Sequence, residues 1–324
     1  MIRFLARRLL YALVLVLVVS SASLVLARLA PGDVTAQLGP FASASEIAGT
    51  RARFDLDRSL AAQWMVWMSR AVRFDFGESF LYNRPVRGLI GRAAANTAAL
   101  AAVALVAATL VGIPLGMFTG SRRGAAAALV RGISLACLSV PPLLTSLLLV
   151  FVAATTRWFP SGGMTSADAL DPRWSAWLAD VAIHLPLPAL ALTLPIAATF
   201  ERLQAQSMTE ALQQPFALAA VARGVSPRDV IVRHAWRVSL RPICAVYGMA
   251  IGALLSGSFV VEFVTAWPGL GRLMYEALRA RDIYLVAGCA AMGGLFLAFG
   301  SLVGDLLLAA ADPRLRDAPA RQAH

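Results

Sequence analysis

Lysine is absent: all 29 basic residues are arginine. Without it no GxxxxGK[ST] loop can cradle a nucleotide's phosphates, so ATP hydrolysis by this chain is excluded. Charge of either sign is scarce, 15% of 324 residues against 59% that are hydrophobic. A water-soluble protein of this length needs more charge to cover its surface, so the composition points to lipid as solvent. Histidine and cysteine number three each, with no HExxH, no GxSxG, no CxxC and no Cys/His cluster. These absences argue against an intramembrane protease and imply no disulfide framework, and no metal or cofactor is expected. Cys137, Cys244 and Cys289 fall in separate apolar blocks and read as small buried residues between helices. The net charge of +11 is scattered between apolar blocks, unlike the basic stripe of a nucleic-acid binder. There is no internal repeat and no low-complexity linker.

What is present is a series of long apolar runs. About 20 apolar residues are needed to cross the hydrocarbon core, and six blocks qualify: 9–29, 94–118, 132–154, 181–200, 243–264 and 285–310. The first follows Arg3, Arg7 and Arg8. It is too long for a cleavable signal core of about 7–15 residues and lacks an A-x-A site, so it reads as an uncleaved span. The fourth carries Pro186, Pro188 and Pro195, which are tolerated where neighbouring helices re-satisfy the freed carbonyls. The expectation is an all-α integral membrane protein with six transmembrane helices and an external segment after the first. Within that segment, 31–92, Trp64, Trp67, Phe74, Phe76 and Phe80 mark either a small external subdomain or an interfacial amphipathic helix around 60–72. Arg3, Arg7, Arg8, Arg122, Arg123, Arg131, the arginines of 202–241 and those of the tail lie on the same side under the positive-inside rule. Both termini are then cytoplasmic.

The loop 201–242, between the fourth and fifth spans, is patterned. Pro215 opens a short helix, where its missing N–H costs nothing; 216–223 is Ala-rich and apolar; Gly224 ends the helix as a left-handed cap. Ser226-Pro227-Arg228-Asp229 then supplies a hydroxyl cap, a first-turn proline and an acid for a second helix running toward Leu240. Arg233, Arg237 and Arg241 recur along it every fourth residue. An apolar capped helix on the water side is a docking surface for a partner's groove or packs back on its own bundle; composition leaves both open.

The loop resembles the EAA loop of binding-protein-dependent ATP-binding-cassette importer permeases, through Glu210-Ala211, Gly224 and Pro242. More narrowly, the chain is similar to the first of the two permeases in dipeptide, oligopeptide and nickel importers. Matching pieces run in order along it: Arg28-Leu29-Ala30-Pro31-Gly32-Asp33; Asp55-Leu56-Asp57-Arg58 with Gln63; Asp75-Phe76-Gly77-Glu78-Ser79; Arg84-Pro85-Val86; Ser139-Val140-Pro141; Trp158-Phe159-Pro160-Ser161-Gly162-Gly163; Trp267-Pro268-Gly269-Leu270-Gly271-Arg272 after Glu262; and Asp312-Pro313-Arg314. The resemblance implies the type I importer permease fold in a bacterial inner membrane. The first helix and external segment would occupy 1–93, a permease domain 94–313 and a cytoplasmic tail 314–324. It implies as partners a second permease, two ATP-binding subunits and an extracytoplasmic solute-binding protein. It places ATPase coupling on Glu210, Ala211, Pro215, Phe216, Ala220, Arg223 and Gly224. The chain departs from the family where Pro215 replaces a usual Asp, where Leu218 and Val221 replace basic residues, and near Ala205, where an Arg is usual. Cargo stays open among peptides, nickel chelates and other small solutes.

Ser139, Pro141 and Glu262 are candidates for the translocation pathway. His184 reads as interfacial at the outer end of the fourth span, and Asp305 as paired or snorkelling toward the cytoplasmic face. Gly112, Gly116, Gly252, Gly257, Gly293 and Gly294 permit close helix packing. An ion-driven secondary carrier is the alternative, disfavoured because it would show an inverted repeat and more buried acids; a membrane scaffold gives the loop helix no purpose. The topology is tested by single-cysteine labelling with impermeant reagents. Gln322 and Arg122 positions are expected to react only from inside, Asp57 and Asp168 only from outside, and labelling of His324 from outside would overturn it.

Overall fold

The computed structural model describes residues 2–30, 35, 39, 41–166 and 173–311. The chain divides into two compact units, 1–98 with 268–298, and 99–267 with 299–324. The tail from Asp312 onward, Pro31 to Asp33, and Asp168 and Asp171 lie outside the described residues.

The first unit opens with α1 (Ile2–Leu29), an apolar helix whose large side chains are largely exposed along its length. Two short capped helices follow. Helix α2 (Ala44–Arg53) starts with a reciprocal capping box between Ser43 and Glu46, and α3 (Leu60–Ala71) starts with Ser59 accepting from the Ala62 amide. A helix thus occupies Leu60–Ala71 within the segment. It buries Gln63 and Trp67 while Met65 stays exposed. A two-residue antiparallel ladder, β1 (Glu78–Ser79) with β2 (Arg84–Pro85), leads into α4 (Val86–Ser121). The unit is completed by α13 (Leu270–Ala280) and the start of α14 (Ile283–Ala311). Its core gathers Phe54, Leu56, Trp67, Phe76, Val86, Ile90, Leu273 and Leu285.

Buried Asp282 ties these pieces together. Its carboxylate accepts from Ser79 Oγ at 2.6 Å, from the Leu81 amide at 3.1 Å and from the Leu285 amide at 3.1 Å. The last bond caps the amino end of α14, a position where Asp is favoured because it satisfies an orphan N–H and faces the positive end of the helix. Tyr284, two residues on, donates to the Phe54 carbonyl at 3.1 Å, and Gln63 donates to the Asp55 carbonyl. The hairpin's Tyr82 donates to Glu276; burial first, then that bond, push its hydroxyl up to about 12. The Asp55, Gln63 and Ser79 pieces of the resemblance thus meet in one polar framework.

The second unit contains the rest of α4, then α5 (Ala125–Ser139), α6 (Pro142–Thr156), α7 (Trp174–His184), α8 (Pro186–Leu212), α12 (Arg241–Val264) and the end of α14. Helix α8 is its hub, packed by α5, α6, α7 and α12. Along α4, Gly112, Gly116 and Gly120 recur every fourth residue. A Cβ on any of them would overlap the carbonyl oxygens of Ala197, Glu201 and Ala205 of α8 respectively. Both series step one turn at a time, so the two backbones lie in contact along about three turns. A second close approach joins α12 to α14, where a Cβ on Gly248 would stand 2.9 Å from the Gly304 Cα. Of the glycines expected to permit packing, Gly112 and Gly116 do so against backbone and Gly294 lies against Val16, whereas Gly257 and Gly293 face open space.

Among the described residues, four unbroken helices are long and apolar enough to cross a membrane, and six spans result if each of two bent pairs counts as one. The third expected span, 132–154, is a bent pair in which α5 and α6 meet at 104°. Val140 is extended, Pro141 follows, and Pro142 opens α6. Consecutive prolines remove two amide donors and drive the residue before them out of the helical region, so the helix cannot continue. The fourth span likewise begins earlier, as α7 and α8 bent by 46° at Leu185–Pro186. Pro195, inside α8, is accommodated without a break.

The backbone contact makes a testable claim. Gly116→Val is expected to lower the melting temperature of the detergent-solubilised protein, costing on the order of 1–3 kcal/mol by overpacking. Gly91→Ala, on the same helix with nothing within 4 Å of the added atom, should be neutral or stabilising by up to about 1 kcal/mol. Equal effects of the two would refute the contact.

Candidate functional site

Helix α8 ends at Leu212 in a tight turn closed by Gln213 and Gln214 amides on the Glu210 and Ala211 carbonyls. Gln214 is extended and Pro215 is the first residue of α9 (Pro215–Ala222). The helix ends as the sequence requires. Gly224 has φ +82°; its amide donates to Val221 O at 2.9 Å and the Val225 amide to Ala220 O at 3.1 Å. This is the paired-bond Schellman arrangement, and the left-handed residue it needs is cheapest as glycine.

One face of α9 packs back on its own loop and the other is left exposed. Ala217 and Ala220, three residues apart, are buried against Leu212, Val225 and Val230 of the same loop. Their small side chains let α9 lie close to the chain beneath it. The other face carries Phe216, Leu218 and Val221, 37%, 60% and 54% exposed. The loop thus braces the helix from below and presents an apolar surface outward.

Beyond Gly224, Ser226 accepts from the Asp229 amide and its hydroxyl reaches Asp229 Oδ2 at 2.7 Å. The cap starts α10 (Pro227–Asp229) as expected. The next stretch of helix is not regular: 230–235 form a π turn before α11 (Trp236–Ser239). In a π turn hydrogen bonds reach five residues back, so one residue is surplus to the α-helical register. The expected fourfold arginine row is corrected accordingly, because Arg233 lies in the wide turn, Arg237 in α11 and Arg241 at the start of α12. Arg233 instead pairs with Asp229 at 3.3 Å.

Glu210 is exposed and accepts from Gln206 Nε2 at 3.0 Å. Ala211 is buried with Met208 and Ala235. The Glu-Ala pair therefore splits, acid to water and alanine to the core. Arg223, at the end of α9, is exposed and donates from Nε to its own helix at Ala219 O, 3.3 Å.

Ser139 and Pro141 stand at the α5–α6 break and are exposed; Ser139 Oγ donates to Leu135 O at 2.8 Å. Glu262, in the last turns of α12, is wholly buried rather than facing outside water. His184 is buried, 4% exposed, at the α7–α8 bend, with Nδ1 2.8 Å from Asp180 O. Cys289 is buried and Cys137 and Cys244 are partly so, all as free thiols. Two pieces of the resemblance meet in space: the Gly163 amide donates to Thr265 O at 2.8 Å, beside Ala266-Trp267. A Cβ on Gly162 would stand 2.9 Å from that same oxygen.

Sequence reasoning did not single out Glu201. It is 1% exposed, one carboxylate oxygen accepting from Thr119 while the other has no hydrogen-bond partner among the described residues. Its place at the edge of an apolar block, three residues before Gln204, which is also buried, was the available signal. Among the described residues no group of His, Cys, Asp and Glu is arranged to hold a metal ion.

Residues 112–317 match the family model described as the binding-protein-dependent transport system inner membrane component, and residues 1–101 match its N-terminal companion. The chain is 33% identical over 322 residues to a putative peptide permease protein of Brucella ovis, covering 98% of this chain and 99% of that one. It is 31% identical over 325 residues to an oligopeptide transport system permease protein of Mycobacterium tuberculosis, at 98% and 99% coverage. A Bacillus subtilis oligopeptide permease is 28% identical over 321 residues, at 97% and 99%.

The packing of α9 is tested by neighbouring alanines. Ala220→Leu, at a fully buried site, is expected to cost about 1–3 kcal/mol by overpacking and to raise amide exchange across 215–235. Ala219→Leu, on the exposed side, should leave exchange unchanged.

Proposed function

We infer the role of this chain from one premise: it belongs to the binding-protein-dependent transport system inner membrane component family. It is a multi-pass membrane component of a substrate importer, which sets aside an ion-driven carrier. On our reading it is the first of two permease subunits in an ATP-binding-cassette importer and forms half of the translocation pathway. Its cargo is peptide, as the names of its relatives support; nickel chelates are the second cargo reading. Hydrolysis of ATP takes place on two separate cytoplasmic subunits, consistent with a chain lacking lysine, and an extracytoplasmic protein delivers the solute. The permease domain is 94–313, and both termini are cytoplasmic.

The observation that carries the coupling role is the two-faced α9. A helix of eight residues with three exposed apolar side chains, fixed at both ends by a proline start and a glycine stop, is built to enter a groove. Phe216, Leu218 and Val221 would fill the groove of one ATP-binding subunit; Glu210 and Arg223 flank it. Ala211, Ala217 and Ala220 would transmit its displacement to α8 through their packing. Pathway residues would include Ser139 and Pro141 at the broken helix, with Glu262 as a buried acid beside them in role.

Leu218→Asp is expected to reduce co-purification of the ATP-binding subunits at least about tenfold, since burying an unpaired carboxylate in an apolar groove is costly. Membrane insertion and pairing with the second permease should persist. Gly224→Val should abolish substrate-stimulated ATPase activity in reconstituted vesicles, while Gly224→Asn, which tolerates a positive φ, should retain much of it. Normal transport by Gly224→Val together with normal assembly of Leu218→Asp would reduce the loop to a linker.

A further inference from the structure

Three arginines of the second unit have no acidic partner among the described residues. Arg122 and Arg123 come just after the end of α4 and Arg131 lies in the second turn of α5; none of them makes an ion pair there. Arg131 donates one amino group to the carbonyls of Thr119 and Arg122, which holds its guanidinium beside the α4–α5 turn. Arg122 rests over the Phe118 ring at 5.3 Å. All three line one pocket of about 640 Å³, with Ser121, Gln206 and Thr209 as further polar groups and Glu210 as the single acid. Glu210 is itself engaged by Gln206. The pocket therefore keeps a net charge of +2 by these side chains, three guanidinium groups less one carboxylate.

Two other observations point to the same class of ligand. Helix α5 starts at Gly124 with no side-chain cap, so its first amides and the positive end of its dipole remain open to an anion. The basic pocket also adjoins a larger one of about 760 Å³, the two sharing Arg131, Ala205 and Gln206. That second pocket runs between α5, α8 and α12 along Leu135, Leu138, Val246 and Met249, with Glu201 and Arg202 opposite in sign. From Arg131 to Leu138 is about 10 Å along the helix, and Leu135 and Met249 are 55% and 68% exposed. A charged mouth opening onto an apolar groove has the shape of an amphiphile with an anionic head.

We propose that this paired pocket holds an anionic phospholipid of the cytoplasmic leaflet, its phosphate on Arg122, Arg123 and Arg131 and an acyl chain along Leu135 and Met249. Guanidinium forks match phosphate oxygens in a bidentate manner, and basic pockets between membrane helices select such headgroups. The leaflet rests on the inside placement of the α4–α5 turn; the headgroup chemistry does not. The lipid would sit beside the Glu210 end of α8 and so brace the coupling loop from the membrane side.

The test is lipid retention by the assembled transporter, purified from phosphatidylglycerol-containing membranes and washed with excess phosphatidylcholine, read by native mass spectrometry. The wild type is expected to keep one phosphatidylglycerol or cardiolipin per copy of this chain. Arg122→Gln with Arg123→Gln should reduce retention on the order of tenfold to a hundredfold, as two lost guanidinium contacts imply, whereas Arg87→Gln, at the other end of α4, should not. Equal retention in the double variant overturns the proposal. Displacement of the lipid by excess inorganic phosphate overturns it in favour of a free-anion site. Complete cross-linking of Leu135→Cys to the second permease overturns it in favour of a protein-filled groove. Impermeant labelling of Ser121→Cys from outside would move the site to the other leaflet and refute the assigned one, leaving the Leu218→Asp result to judge the importer reading separately.

Discussion

The second unit depends on one contact, the backbone-to-backbone approach of α4 and α8 at Gly112, Gly116 and Gly120. In lipid there is little hydrophobic gain from bringing two helices together, so association relies on close packing and on weak polar terms such as Cα–H to carbonyl contacts. The glycine edge permits that proximity at three successive turns. Helix α8 is thereby fixed along its C-terminal half, and α5, α6, α12 and the loop elements pack around it. The buried Thr119 lies between the second and third glycine contacts and donates to Glu201, whose own carbonyl faces Gly116.

The loop after α8 inherits this rigidity. Met208 and Ala211 carry the packing from α8 to Ala235, and Ala217 and Ala220 carry it from α9 to Val230. Each step runs through buried side chains in close contact, the arrangement with least slack for a displacement to be lost in. The π turn at 230–235 is the exception to regular geometry along this route. It lies where α9, α8 and α11 all bear on one short segment.

Much of this was legible in the sequence, for local reasons. Pro215 and Ser226-Pro227 restrict the backbone, and Gly224 reaches the left-handed turn without steric cost, so the start and stop of α9 and the start of α10 follow from residue type. The apolar blocks were equally plain because lipid demands length and hydrophobicity. What escaped depended on residues far apart in the chain. Nothing near Asp282 announces that Ser79 will meet it across 203 positions, although its place just before an apolar run was readable as a helix cap. The third block was long enough to span, and its hydropathy concealed the consequence of Pro141-Pro142. The burial of His184 could not be read from composition, because it is produced by the bend at Leu185–Pro186 and by the approach of neighbouring helices.

The right-angled break between α5 and α6 also governs solvation. A helix that stops leaves its last carbonyls without a further turn to bond them, and here the next helix opens with a proline that has no amide to offer. Such backbone cannot be bathed in hydrocarbon, where each unmet polar group costs several kcal/mol. Residues 139–142 are exposed on this chain taken alone. In the bilayer that patch is therefore wetted or covered by protein, a polar spot fixed by main-chain geometry whatever side chains surround it.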